Sequence, residues 1–224
     1  VTPDAPGPHL VILGGRRLWH WIRGRRRGRF RRVSGLLHGW LIDGRRILRQ
    51  RAAGRDFVWV RDVTVSNSTW GNRSLRIAGP RDGVHALGGG IGQGFSGALG
   101  VKVAMPDRPV VAVSGDGSAM YSVQALWTAA HHRLAIVFVI LSNREYRILK
   151  HNVDVWRQNF EAGTQHPYQQ MDLTGPGLDF VHLAAGMGVE GVRVEKADDI
   201  ASVLATAVAA NRPYLIEIAI EGKR

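Results

Sequence analysis

The 224-residue chain has no cysteine at all, which excludes a disulfide framework and any thiolate-ligated metal. That composition suits a reducing compartment, and a cytoplasmic location is expected. No apolar run approaches the ~18–20 residues of a membrane-spanning helix. The amino-terminal stretch "LVIL" at 10–13 is shorter than the ~7–15-residue core of a secretory signal. Lysine and glutamate are missing from residues 1–62, which hold fifteen Arg and four Asp. That segment therefore carries +11 of the chain's formal +12, and the remaining residues are close to neutral. The basicity belongs to a leader, so the pI does not argue for a nucleic-acid-binding domain.

Two unlike parts follow from this asymmetry. Residues 1–61 are rich in Arg, Gly and Trp ("GRRLWHWIRGRRRGRFRRVSGLLHGW") and show neither helical nor strand periodicity. They are read as a basic, poorly ordered extension, or as out-of-frame translation of GC-rich DNA. A nucleic-acid arm and a transit peptide are the weaker readings. Residues 62–224 have the composition of a globular domain.

In that second part, strand and helix patterns alternate. "RDVTVSNST" reads as a short strand entering a polar loop. "HALGGGIGQGFSGALGVKVAM" reads as a glycine-rich loop opening a helix near Ile91, and "PRDGVHALGGG" before it as loop. "RPVVAVSGDG", "LAIVFVILSN", "VEGVRVE" and "PYLIEIAI" read as strands. Between them come helices at about 118–133, at "REYRILKHN", at "DFVHLAAGMG" and at "DDIASVLATAVAAN". Continuous Val/Ile runs suit strands covered on both faces. The expected class is α/β, a doubly wound, mostly parallel sheet with helices on both faces.

In such sheets ligands bind beyond the carboxyl ends of the strands. Two buried-looking strands end there in oxygen-bearing groups, Asp116 and Asn143, 27 positions apart, which is one strand–helix–strand unit. A carboxylate and an amide oxygen, with a backbone carbonyl, form a partial set of hard ligands that Mg²⁺ completes with phosphate and water. Gly115 and Gly117 allow close approach, and the Gly117 and Ser118 amides can donate to a diphosphate. "GQGFSG" at 92–97 matches G-x-G-x-x-G, but no apolar strand is expected before it, so a nicotinamide site is set aside. His131 and His132 read as solvated or packing residues; His85, in the loop before the glycines, is the one histidine that could approach a substrate.

"GDGSAMYSVQALWTAA" with "LSNREY" resembles the diphosphate-binding signature of thiamine diphosphate enzymes. The resemblance is to the C-terminal domain of benzoylformate decarboxylases, with acetolactate synthases further off, and runs from about Thr64 to the end. It implies that Asp116, Asn143 and the Glu145 carbonyl ligate Mg²⁺. It also implies that Gly115, Gly117, Ser118 and Tyr146 lie against the diphosphate. Gly89 and Gly90 would meet the aminopyrimidine, Ile91 would wedge the cofactor into its bent form, and Ser66 and Asn67 would fall on a nearby loop. The pattern departs at Ser142, where the family has a first Asn. It departs more widely in lacking a pyrimidine-binding domain with its activating Glu. The implied function is the thiamine diphosphate and Mg²⁺-binding part, fragment or subunit, of a 2-oxo-acid decarboxylase or carboligase. It would be inactive without a pyrimidine domain on another chain of a homo- or hetero-oligomer. No residue of this chain is assigned a catalytic role. The alternatives are a cofactor-holding subunit of a two-subunit decarboxylase and a nucleic-acid module using the Arg-rich arm.

Overall fold

The computed structural model describes residues 57–62, 79, 81–85, 90–160 and 167–220. Among them six strands form one sheet: β1 (Val58–Arg61), β2 (Gly83–His85), β3 (Val110–Gly115), β4 (Ile136–Ser142), β5 (Glu190–Val194) and β6 (Tyr214–Ala219). Their order is β2-β1-β3-β4-β6-β5, and every pairing is parallel. The helices are α1 (Gln93–Ala104), α2 (Asp116–Ala119), α3 (Ala125–His131), α4 (Arg147–Asn159), α5 (Phe180–Gly186) and α6 (Ile200–Ala209).

Alternation along the strands sorts the core into two layers. Val58, Val60, Val110, Ala112, Ile136 and Phe138 point to one face, where Phe95 and Ala98 of α1, Leu126 of α3 and Phe180 of α5 cover them. Trp59, Val111, Val113, Val137 and Val139 point to the other, under Leu204 and Ala207 of α6. Phe95 and Phe138 meet edge to face with centroids 4.9 Å apart, a geometry that adds about 0.5–1.5 kcal/mol to their burial. Helices on both faces of a parallel sheet bear out the doubly wound reading.

Four local readings change. Residues 58–61, read as part of the extension, are the strand β1, in register with β3. Its short "VWVR" is diluted by the Arg-rich context. Residues 63–69, the rest of the "RDVTVSNST" read as a short strand entering a polar loop, and residues 1–56 of the extension lie outside the described residues. The stretch before Gly92 is not all loop, since β2 is an edge strand of three residues, too short for any periodic signal. The single helix expected over 118–133 is two. From Tyr121 to Leu126 the chain tightens into i→i−3 bonds, such as Tyr121 N–H to Ser118 O at 3.2 Å and Ala125 N–H to Ser122 O at 3.0 Å. The helix expected at "REYRILKHN" begins at Arg147 and runs on to Asn159.

Among the described residues no helix is long and apolar enough to cross a membrane. The strand order reverses direction between β1 and β3: β2 lies beyond one, β4 beyond the other. That reversal makes the carboxyl rim of these strands the crevice where ligands of such sheets bind.

Candidate cofactor site

Two corners of this rim are built around buried carboxylates. At the first, Asp62 ends β1 with 2% of its surface exposed. Its Oδ1 accepts from the Gly94 amide at 2.8 Å and its Oδ2 from the Ser114 hydroxyl at 2.8 Å. Burial raises the Asp62 pKa above its ordinary value, while the Ser114 hydroxyl and the Gly94, Gly92 and Gln93 amides pull it back. Helix α1 begins here with Gly92 at φ 86°, a left-handed conformation that favours glycine. A Cβ on Gly92 would also stand 2.4 Å from the Tyr121 Cβ, so the tightened turn after α2 presses on this loop. Ile91 is 45% exposed at the same edge, a position open to a ligand. Gly90 precedes it; Gly89, Ser66 and Asn67 lie outside the described residues.

At the second corner, Asp116 follows β3 and is 4% exposed. Its Oδ1 accepts from the Gly117 amide at 2.8 Å and its Oδ2 from the Arg144 amide at 2.6 Å. Burial raises its pKa, and the Gly117, Arg144 and Asn143 amides oppose the shift. β3 and β4 are paired through Gly115 and Leu141, which brings the loop after β4 beside Asp116. In that loop Arg144 holds φ 58°, a strained conformation for a side chain with a Cβ. The strain has a use: it aims the Arg144 amide at Asp116 and lets Asn143 Oδ1 reach the Glu145 amide at 3.1 Å. The Tyr146 ring lies on Gly117 so closely that a Cβ there would be 2.6 Å from its Cε1. The structure thus brings Asp116, Gly117, Asn143, Glu145 and Tyr146 together, with Gly115 and Ser118 beside them. The Gly117 amide, read from sequence as a diphosphate donor, is engaged by Asp116.

The Glu145 side chain braces this corner. It pairs with Arg147 and with Lys150 Nζ, the latter at 2.6 Å. Lys150 also binds Asp172. Burial alone would lower the Lys150 pKa, but hydrogen bonds to Asp172 and Glu145 carry it above its ordinary value. The Met171 carbonyl accepts from Tyr146 N–H and the Arg144 carbonyl from Leu173 N–H, both at 2.8 Å. The 171–173 strap therefore holds the loop after β4 from behind.

Asp62, Ser114, Lys150 and Asp172 escaped the sequence reading as site residues. Asp62 left one trace, a carboxylate at the end of the apolar "FVWV", matching Asp116 and Asn143 at the ends of their strands. His85 is exposed at the end of β2. His131 and His132 close α3, whose carboxyl end leads to the amino edge of the sheet. His131 stacks there on Trp127 with ring centroids 4.9 Å apart. A cavity of about 320 Å³, lined by Lys102, Pro106, Ala135 and Arg212 among others, lies at that amino edge, away from Asp116.

Among the described residues no three His, Asp or Glu side chains converge as a stand-alone metal centre. One buried carboxylate, one amide oxygen and one carbonyl are instead the oxygen-only, incomplete set that suits Mg²⁺ shared with phosphate. Each Asp116 oxygen holds one N–H and keeps a lone pair for a cation.

Fold and rim together define a parallel α/β domain whose carboxyl rim carries the buried carboxylates Asp62 and Asp116 beside its topological switch. Residues 64–218 match the thiamine pyrophosphate enzyme family, C-terminal TPP binding domain, and the chain belongs to that family. It is 35% identical over 166 residues to benzoylformate decarboxylase of Pseudomonas aeruginosa, covering 74% of this chain and 30% of that protein. Against the large subunit of acetolactate synthase isozyme 2 of Escherichia coli the identity is 31% over 153 residues, covering 68% of this chain and 26% of the other. The thiamine diphosphate-dependent 4-hydroxybenzoylformate decarboxylase of Rhodococcus jostii superposes with a TM-score of 0.68 at 31% identity, over 81% of this chain and 33% of that one. The chain thus spans about a third or less of the length of these relatives. It is the thiamine diphosphate-binding, C-terminal domain of the decarboxylase and acetolactate synthase group.

Proposed function

We propose that this domain, from the β1 strand to the carboxyl terminus, holds thiamine diphosphate through Mg²⁺ for decarboxylation of a 2-oxo acid, or for carboligation from it. The Arg-rich segment before it is assigned no part in cofactor binding. The observation that carries the reading is the convergence of Asp116, Asn143 and the Glu145 backbone beside Gly117 and Tyr146 at one rim. When bound, the cofactor supplies a thiazolium carbon that adds to the substrate carbonyl and takes up the electron pair released with carbon dioxide.

The chain's own groups bind and orient. Asp116, Asn143 and the Glu145 carbonyl would hold the cation, and the metal would neutralise the diphosphate that Gly115, Gly117 and Ser118 admit at close range. Tyr146 borders the same space, with Gly90 and Ile91 at the neighbouring corner for the aminopyrimidine end. Gly89, Ser66 and Asn67 keep their proposed places near the cofactor on the strength of the family resemblance. None of these residues is a proton donor for the aminopyrimidine. We assign that task to a Glu of a pyrimidine-binding domain on another chain, so the site is completed by assembly and this chain alone is inactive.

Metal removal tests the reading. Calorimetric titration of thiamine diphosphate into the full chain should give saturable binding with Mg²⁺, weakened at least ~100-fold by a chelator. Metal-independent affinity would refute the proposed ligand set.

A further inference from the structure

We propose that Asp62 is a positioning residue for the cofactor cleft, a cap for α1 supplied from β1 that fixes the spacing between Ile91 and the Gly115–Asp116 turn. The inference rests on the reading of this rim as the cofactor site. A helix start normally satisfies its free amides with a Ser, Thr, Asp or Asn at its own N-cap. Here the N-cap is Gly92, which offers no side chain, and the acceptor comes from a residue 32 positions earlier in the chain. A local cap would satisfy the helix but leave it free to shift along the sheet. A cap borne by β1 ties the helix to the strand.

Asp62 is itself held on two sides. Its backbone N–H donates to Val113 O at 3.1 Å, within the β1–β3 ladder. Its Oδ2 holds the hydroxyl of Ser114, the residue before Gly115. One carboxylate therefore joins three elements, and it does so without slack. A Cβ on Gly94 would stand 2.9 Å from the Asp62 Cγ and 3.0 Å from its backbone nitrogen. Ile91 lies two positions before α1 on one side of this junction, and Asp116 two positions after Ser114 on the other. A long ligand bridging both sides would sense a change in their separation, whereas a short ligand seated at Asp116 alone would not.

The test compares two probes on the full chain, thiamine diphosphate and inorganic diphosphate, both with Mg²⁺. Asp62→Ala is expected to weaken thiamine diphosphate at least ~10-fold and inorganic diphosphate less than ~2-fold, with Asp62→Asn, which keeps an acceptor for Gly94, within ~3-fold of the parent for both. Equal losses for the two probes, or no loss for either, would overturn the proposal, the first by making Asp62 a structural residue only. If the unsubstituted chain binds neither probe, the cofactor reading fails separately. Amide exchange of the ligand-free protein then decides the junction itself. Exchange at Gly94 accelerated ~10-fold or more by Asp62→Ala, with Phe138 in β4 unchanged, supports the cap, and unchanged exchange at Gly94 overturns it.

Discussion

Asp116→Ala is expected to weaken Mg²⁺-dependent thiamine diphosphate binding by at least ~100-fold, about 2.8 kcal/mol, while leaving the sheet folded. Asp116 is the single carboxylate in the proposed ligand set, and its loss leaves the cation with two neutral oxygens. Asp116→Asn should fail nearly as badly. An amide keeps an acceptor for Gly117 but turns its NH₂ either toward the Arg144 amide or toward the cation. Calorimetry with and without Mg²⁺ reads both effects, and far-ultraviolet circular dichroism checks the fold. Asp172→Ala is the control. Its carboxylate is largely exposed and lies behind the rim on Lys150, so its removal should change affinity by less than ~3-fold, in keeping with the small worth of an exposed ion pair. Full metal-dependent affinity in Asp116→Ala would remove this residue from the cation.

The second large effect concerns turnover. The full chain with thiamine diphosphate and Mg²⁺ is expected to release no carbon dioxide from a 2-oxo acid above background. A chimera in which residues 57–224 replace the matching part of Pseudomonas aeruginosa benzoylformate decarboxylase should do so. A positioned general acid or base contributes about 10²–10⁴-fold, and the difference between chimera and chain should be at least of that order. The physical ground is the content of the rim. Asp62 is spent on α1 and Asp116 on the proposed cation site, Glu145 is paired with Arg147 and Lys150, His131 and His132 belong to the opposite edge, and His85 ends the edge strand β2, which β1 separates from β3 and Asp116. Decarboxylation by the chain alone, assayed by carbon dioxide release, would contradict the division of labour proposed here.

The central strands were legible in the sequence because β3, β4 and β6 are buried on both faces and spell Val/Ile-rich runs, interrupted in β6 by the buried Glu217. The same logic hid β1 and β2. Four residues beside an Arg-rich stretch and three residues holding a Gly and a His carry no usable period, and only pairing makes them strands. In the rim, Asp116 and Asn143 could be found because each ends a strand that the sequence marks. Asp62 carries the same mark only at the end of the short "FVWV", and its partners Gly94 and Ser114 are 32 and 52 positions away and meet it only in the folded sheet. The bracing of the loop after β4 by residues 171–173, more than twenty positions away, was hidden in a like way, although Lys150 reaches Glu145 from only five positions on. The strap has no periodicity of its own, and its bonds to Arg144 and Tyr146 run through backbone groups. Tyr121, in the tightened turn between α2 and α3, lies against Gly92, a contact that helical propensity over 118–133 does not contain.

The most direct test of the account is a crystal structure of the chain with thiamine diphosphate and Mn²⁺ in place of Mg²⁺, with the metal located by its anomalous scattering. One peak is expected, bonded to an Asp116 carboxylate oxygen, Asn143 Oδ1 and the Glu145 carbonyl at about 2.0–2.3 Å as hard oxygen ligands require, with diphosphate oxygens completing the shell. A peak elsewhere on the chain, or a diphosphate bound with no metal at Asp116, would contradict it.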